Sequence, residues 1–232
     1  MIDNRNLKTL KTLKHKFDKL PLVKDTSGLA LVEFAFAAPL LLTLGMSGLE
    51  TANLAIAHLQ VSQVAMLAAD NASRVRSSID EADIREIFTG VHLTGNSIDF
   101  SPNARVILSN LEHNGKLGSD EGQWIRWQRC YGSNATYSSS FGAEGDGEND
   151  ASLADGIGPT GKKIQATSAS AVNFVEVIYD YKPLITDKIF GNVVIRYQSA
   201  FVARERTDHA LKNASSIPNN DLWKCDRYAT IT

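Results

Sequence analysis

The chain has 232 residues and a formal net charge of −2, with 43% hydrophobic and 22% charged residues. This length allows one large or two small domains, and the hydrophobic content is sufficient for a packed core. The near-neutral charge gives no general reason to expect nucleic acid as a partner. The average conceals a strong asymmetry at the N-terminus.

The N-terminal 49 residues divide into a basic leader and an apolar segment. Residues 1–28 contain three aspartates and seven basic residues: Arg5, Lys8, Lys11, Lys14, Lys16, Lys19 and Lys24. Residues 29–49 carry one charge, Glu33. This run is close to the roughly 20 residues that a membrane-spanning helix needs, and longer than the about 7 to 15 of a secretory signal. It predicts a transmembrane helix, with a buried core helix as the alternative.

The basic flank also predicts the orientation of the chain. Lys and Arg close to a membrane segment favour the cytoplasmic side. We therefore expect residues 1–28 to be cytoplasmic and residues 50–232 to be exported. Cys130 and Cys225 would then share an oxidising compartment, which predicts a disulfide between them. The alternative is two unrelated buried thiols.

Two residues depart from the apolar pattern. Pro39 removes one helical hydrogen bond and predicts a kink. Glu33 places a carboxylate about 6 Å into the segment, at a rise of 1.5 Å per residue. A carboxylate inside a membrane segment is a functional hypothesis that needs a partner. Cleavage after Gly28 would supply one, because Leu29 would then carry a cationic α-amine four residues away.

Residues 27–34, Ser-Gly-Leu-Ala-Leu-Val-Glu-Phe, resemble the processing site of type IV prepilin-like proteins. Together with Ala-Phe-Ala-Ala-Pro39, they look more specifically like the TadE-like proteins of the tight-adherence (Tad/Flp) pilus systems. The match covers about residues 24–50. Beyond it the likeness is loose: a Trp-x-Arg-Cys stretch at 127–130, a Tyr-x-Tyr-x-Pro-Leu stretch at 179–184, and a late cysteine.

The resemblance implies a minor pseudopilin in pilus biogenesis, with a pilin-like fold and no cofactor. A prepilin peptidase would cut between Gly28 and Leu29. The mature helix would then join other pilins and inner-membrane assembly components, through Glu33, Phe34 and Pro39. The protein would sit in the bacterial inner membrane with its C-terminal domain in the periplasm, and could be incorporated into a pilus.

The exported part predicts an α+β domain. Residues 50–80 continue as an amphipathic helix with apolar residues at three- and four-residue steps: Leu54, Ala57, Val61, Val64, Ala68, Val75 and Ile79. Strand-like stretches follow at 105–111, 123–130, 171–181 and 193–202. They suggest a four-stranded antiparallel sheet packed against the helix, from residue 81 onward. Residues 132–161 are rich in Gly, Ser, Asn and Asp and predict a long, partly mobile loop.

No pattern of residues points to catalysis or to a metal. The loop contains a polar cluster of five residues, which are Asp146, Glu148, Asn149, Asp150 and Asp155. Calcium is conceivable there, but the spacing does not match an EF-hand, and a solvated acidic loop is favoured. We expect a non-enzymatic protein with no metal site. The alternatives are an uncleaved, membrane-anchored exported binding module and an anchored exported hydrolase.

Overall fold

The structure, a computed structural model, describes residues 27–185 and 191–228. The predicted leader lies outside the described residues, apart from Ser27 and Gly28. The chain divides into two compact units, Met1–Thr51 and Ala52–Thr232. One helix, α1 (Ser27–Arg74), begins in the first unit and ends in the second. It confirms the predicted long N-terminal helix.

The predicted end of this helix at residue 80 is wrong. Arg74 is the last helical residue, and Ser77 has a φ of +64°, in the left-handed region that helices of L-residues avoid. Strand β1 (Ser77–Asp80) follows and places Ile79 in the core with no exposed surface. Ile79 fits the helical spacing of buried residues, but its burial comes from a strand.

A second helix, α2 (Glu81–Gly95), was not predicted. Its N-terminus carries a capping box, in which Asp80 accepts a backbone hydrogen bond and Asp83 accepts one from the backbone of Asp80. Its buried apolar residues recur at helical spacing and are Ile84, Ile87, Phe88 and Val91. The Asp-x-x-Asp sequence ahead of this pattern is the signal that identifies the helix.

The predicted four-stranded antiparallel sheet is confirmed. A one-turn helix, α3 (Phe100–Asn103), leads into β2 (Ala104–His113), and β3 (Gln123–Tyr131), β4 (Ala171–Asp180) and β5 (Val194–Val202) follow. The strand order is β3-β2-β4-β5, and every neighbouring pair is antiparallel. A final strand, β6 (Arg206–Lys212), was not predicted and pairs in parallel with β1.

The main core of the second unit lies between α1, α2 and one face of this sheet. Alternate strand residues supply the sheet side, as a half-buried strand requires. The buried members include Ala57, Val61, Val64 and Ala68 of α1, Phe88 and Val91 of α2, and Val106, Leu108, Val175 and Val177 of the sheet. Five of the seven residues in the predicted stripe are therefore buried within the chain, four of them in α1 and Ile79 in β1.

Residues 132–161 cover the opposite face of the sheet. They contain no named helix or strand, as predicted for a loop. The ring of Phe141 meets that of Phe174 at a centroid distance of 5.5 Å, and the Gly145 amide donates to the Ile125 carbonyl at 2.8 Å. Gly147 has a φ of +81°, and a Cβ there would lie 2.1 Å from the Gln123 carbonyl oxygen. The loop is thus fitted to the sheet, and its partial mobility stays a prediction.

Asp80 joins three segments of the second unit. Its carboxylate accepts hydrogen bonds from the Ala82 amide at 3.0 Å, the Ala214 amide at 2.6 Å and the Ser215 hydroxyl at 3.0 Å. Burial alone would raise the pKa of this carboxyl, but these hydrogen bonds hold the pKa below its ordinary value. The charged form is therefore favoured by folding.

We expect Asp80→Ala to lower the free energy of unfolding by about 1–2 kcal/mol at neutral pH, because a helix cap is lost. Since the folded pKa is below the unfolded value of about 3.9, the contribution is complete above that pH and fades as pH falls through the folded pKa. Urea unfolding of the wild type and the variant at neutral and acidic pH measures this. Glu148→Ala, which changes an exposed carboxylate, is the control. A difference that is the same at both pH values would contradict the role of the charge.

Candidate functional site: an unburied apolar helix surface

The part of α1 in the first unit presents an apolar surface that the described residues of the chain leave uncovered. Eighteen consecutive residues of this helix have a mean hydropathy of 2.0, and none of these residues is buried. Among the described residues, α1 is the one helix long and apolar enough to cross a membrane. The large side chains exposed along residues 29–49 are Leu29, Leu31, Val32, Phe34, Phe36, Leu40, Leu41, Leu42, Leu44, Met46 and Leu49.

The predicted processing site lies at the start of this surface. Gly28 is the second residue of α1, and a Cβ added there would meet no atom within 4 Å. Leu29, the next residue, is 71% exposed. Packing within the described chain therefore does not require a glycine at position 28, and cleavage after it stays a prediction.

Glu33 and Phe34 both lie on the exposed surface. Phe34 is 70% exposed. Within the described ranges, the Glu33 carboxylate has no hydrogen-bond or ion-pair partner. A cut after Gly28 would create a cation near it, the α-amine of Leu29. The roles predicted for these residues in assembly are therefore left open by the fold.

Pro39 lies inside α1, which continues through it. Proline has no amide hydrogen, so the carbonyl one turn earlier loses its usual donor. One turn later, the Thr43 hydroxyl donates to the Pro39 carbonyl. The same i to i−4 pattern continues with Ser47 to Thr43 at 2.7 Å and Thr51 to Ser47 at 2.8 Å. The three hydroxyls of this ladder are satisfied by their own helix, as a polar group in an apolar medium requires.

In the second unit, α1 has two different faces. The inner face is buried in the core, and the outer face carries exposed apolar residues, of which Ile56 is 51%, Leu59 64% and Met66 48% exposed. The apolar stripe of such a helix can pack within its own chain or against neighbouring subunits. The structure uses the predicted stripe within the chain, and a second apolar stripe remains outside.

Cys130 and Cys225 form a disulfide, with their Cα atoms 4.8 Å apart, in agreement with the predicted pairing. Cys130 is in β3 and Cys225 is in the C-terminal segment. The Cys130 amide also donates to the Trp223 carbonyl at 2.8 Å, beside the disulfide. The bond therefore ties the C-terminal segment to the edge of the sheet.

A buried arginine that sequence analysis missed supports the same attachment. Arg105 is 1% exposed, and its guanidinium donates to the carbonyls of Gly132 at 2.7 Å, Cys225 at 2.7 Å and Arg227 at 2.9 Å. Burial lowers the pKa of this guanidinium, while Tyr228 has the opposite, smaller effect. The isolated Arg in an apolar strand is the sequence signal that could have identified it.

A buried ion pair, also missed, joins α2 to the sheet. The Arg129 guanidinium contacts Glu81 at 2.6 Å and Glu144 at 2.9 Å. Glu81 is 3% exposed and stands at the first position of α2. A carboxylate there is also favoured by the helix dipole.

The acidic residues of the loop are engaged separately. Asp146 accepts from the Ala143 amide at 2.8 Å, Asp150 accepts from the Ser152 amide at 2.8 Å, and Asp155 lies 3.7 Å from Lys163. Across the described residues, no group of three His, Cys, Asp or Glu side chains is placed to hold a metal ion. The structure thus provides no gathered set of ligands in this loop.

We expect the double variant Cys130→Ser/Cys225→Ser to lose about 2–4 kcal/mol of unfolding free energy, because the cross-link restricts the unfolded chain. Urea unfolding of the second unit in the detergent-solubilised full chain measures this. Wild-type protein reduced before unfolding is the matched control and should give the same midpoint as the double variant. An unchanged midpoint in both would show that the bond adds no stability.

Comparisons with protein-family models, with curated proteins and with solved structures find no match. The functional interpretation of α1 therefore rests on the residues and contacts described above.

Proposed function

We propose that this chain is a TadE-like minor pseudopilin of a Tad/Flp-type pilus assembly system, processed after Gly28 by a prepilin peptidase. The observation that carries the proposal is the unburied apolar surface of α1, which is interrupted by one carboxylate, Glu33, that has no partner among the described residues. The position of Glu33, fifth after Gly28, is the position expected of a mature pseudopilin.

Membrane insertion accounts for the apolar surface. Residues 29–49 form 21 residues of helix, about 32 Å long at 1.5 Å per residue, which matches a hydrocarbon core of about 30 Å. The hydroxyl ladder of Thr43, Ser47 and Thr51 supports insertion, since each donor finds its acceptor inside the helix. The basic leader favours a cytoplasmic N-terminus and a periplasmic second unit at the inner membrane.

Cleavage after Gly28 accounts for Glu33. A new α-amine at Leu29 would be cationic near neutral pH and one helical turn from the carboxylate. The pair can form within one helix or between neighbouring helices at the same depth. In the second case the ion pair forms only when neighbouring subunits take one axial position relative to each other. Glu33 would then have a role in assembly.

Other features of α1 favour contact with further helices. Gly45 and Gly48 have open space where a Cβ would lie, although glycine costs a helix about 1 kcal/mol relative to alanine. Small residues let membrane helices approach closely. Beyond the membrane segment, Ile56, Leu59 and Met66 extend an exposed apolar face. Other pilins and inner-membrane assembly components are the partners that this proposal assigns to these faces.

The alternative is a membrane-anchored exported binding module that is never cut and enters no filament. The same apolar helix and disulfide-linked domain support it. It differs in giving no function to Gly28 or to Glu33, so variants at these two positions separate the two functions.

We expect Gly28→Phe to remain unprocessed in cells that contain the matching prepilin peptidase, and to migrate more slowly than the wild type. The variant should insert and fold, because a side chain at this position meets no neighbour within the described residues. N-terminal sequencing of membrane-extracted wild type should begin at Leu29, and Gly48→Val, at an equally open helical glycine, should still be processed. Wild-type migration that does not depend on the peptidase would refute the processing.

We expect Glu33→Ala to abolish surface pili while the protein stays in the membrane fraction, because an apolar substitution removes the register contact and not the anchor. Electron microscopy of cells and immunoblots of membranes measure the two properties. Glu86→Ala, at an exposed carboxylate of α2, is the matched control and should leave piliation intact. Normal piliation of the Glu33→Ala strain would favour the binding module.

A further inference from the structure

We propose that an arginine-lined cavity at the C-terminal end of α1 binds a phosphate group. The cavity has a volume of about 330 Å³ and is lined by Arg74, Arg76, Arg204 and Glu205. All four residues belong to the second unit. The site is independent of the proposed pilus function, because no residue of the apolar segment takes part in it.

The arginines concentrate positive charge on an otherwise acidic unit. Residues 52–232 contain 17 basic and 21 acidic residues, which gives them a net charge of −4. At the cavity the balance is reversed, since three arginines stand against two carboxylates, Asp70 and Glu205. Arg206, next to Glu205 in the chain, adds a fourth cation. A local excess of positive charge attracts anions to this part of the surface.

Two carboxylates orient the three guanidiniums at the cavity. Asp70 contacts Arg74 at 2.7 Å and Arg204 at 3.4 Å, and Glu205 contacts Arg76 at 3.2 Å. A guanidinium has five N–H donors in a planar fork, so these contacts use only part of its capacity. The three arginine side chains are between 56% and 80% exposed. Donors therefore remain for a ligand with several acceptor oxygens.

The end of α1 does not account for these guanidiniums, although the carbonyls at a helix C-terminus attract cations. The Ser73 carbonyl accepts from the Arg204 backbone amide at 2.9 Å, and the Ala72 carbonyl accepts from the buried Arg206 guanidinium at 3.2 Å. The helix end is thus satisfied by a backbone amide and by Arg206. The guanidiniums at the cavity are left for another acceptor.

The backbone fixes both segments that carry the arginines. Strands β1 and β6 begin side by side, with Ser77 paired with Arg206. Ser77 has a φ of +64° and Glu205 a φ of +52°, a region that residues other than glycine seldom occupy. Such conformations persist where the surroundings hold them, and they cluster at functional sites. Arg76 and Arg204 each stand directly before one of these two residues.

Three guanidiniums from two segments suit phosphate better than a carboxylate. A phosphate monoester carries close to two negative charges and three strongly accepting oxygens, which arginine binds in bidentate pairs. Phosphate would take the place of Glu205 on Arg76, since an ion pair between two exposed side chains contributes little. Asp70 would continue to orient Arg74 and Arg204.

The test measures binding of radiolabelled inorganic phosphate to the full chain by equilibrium dialysis at low ionic strength, in a maltoside detergent that contains no phosphate. We expect Arg76→Gln and Arg204→Gln each to weaken binding about tenfold, because a charge-assisted hydrogen bond is lost. Arg85→Gln, at an exposed arginine of α2, is the matched control and should keep the wild-type affinity. Circular dichroism of each variant confirms that the second unit is folded.

Competition by unlabelled ligands identifies what the cavity recognises. Glycerol 3-phosphate that competes as well as inorganic phosphate would show recognition of the phosphate group alone, and stronger competition would show a phosphorylated organic ligand; both results support the proposal. Acetate that competes equally would overturn it in favour of a general attraction for anions. Equal phosphate affinity in the wild type, Arg76→Gln and Arg204→Gln would overturn the site itself.

A further variant tests the displacement of Glu205. Glu205→Gln should bind phosphate several-fold more tightly than the wild type, because the competing carboxylate is removed and the repulsion between like charges is lost. Glu86→Gln, at an exposed carboxylate of α2, is the matched control and should leave the affinity unchanged. Weaker binding by Glu205→Gln would overturn the arrangement in which phosphate replaces Glu205 on Arg76.

Discussion

The constraint on which this protein depends is the apolar surface of α1 along residues 29–49, which no part of the described chain buries. Apolar area in water is costly at about 25 cal/mol per Å², so a surface of eleven large side chains requires another medium. The hydrocarbon core of a bilayer is such a medium. The proposed orientation and assembly of this protein both depend on an apolar environment for α1.

Some polar side chains of that segment have a hydrogen-bond partner within the described chain, and one does not. Thr43 and Ser47 donate to carbonyls one turn earlier and need nothing from outside the helix. Glu33 has no such partner in the described chain. An apolar medium makes this difference important, since an unpaired carboxylate there is far more costly than in water. It is the physical reason for giving Glu33 a role between subunits.

In the second unit, polar groups instead hold separate segments of the chain together. Arg105, Asp80 and the Cys130–Cys225 disulfide each attach the C-terminal segment to the sheet or to the start of α2. Arg129 joins α2 to the sheet through Glu81. The contacts of Arg105 and of the disulfide attach the C-terminal segment of the second unit to its sheet. The outer face of α1 in this unit, with Ile56, Leu59 and Met66, remains exposed.

Local sequence determined the long helix and the four strands of the main sheet. Residues 29–49 are apolar apart from Glu33, Thr43 and Ser47, and each strand has its own run of β-branched and aromatic residues, so no distant contact is needed to recognise them. The pairing of the only two cysteines could likewise be predicted, given an exported domain.

Tertiary structure alone decided where α1 ends, because Ile79 fits a helical stripe and is buried as part of β1. It also decided that Arg105 lies among the carbonyls of residues more than a hundred positions away in the chain, Cys225 and Arg227. A hydrogen bond to a distant carbonyl leaves no local pattern. The hydrogen bond from Asn53 to Tyr181 is a further example, since these two residues lie 128 positions apart in the chain.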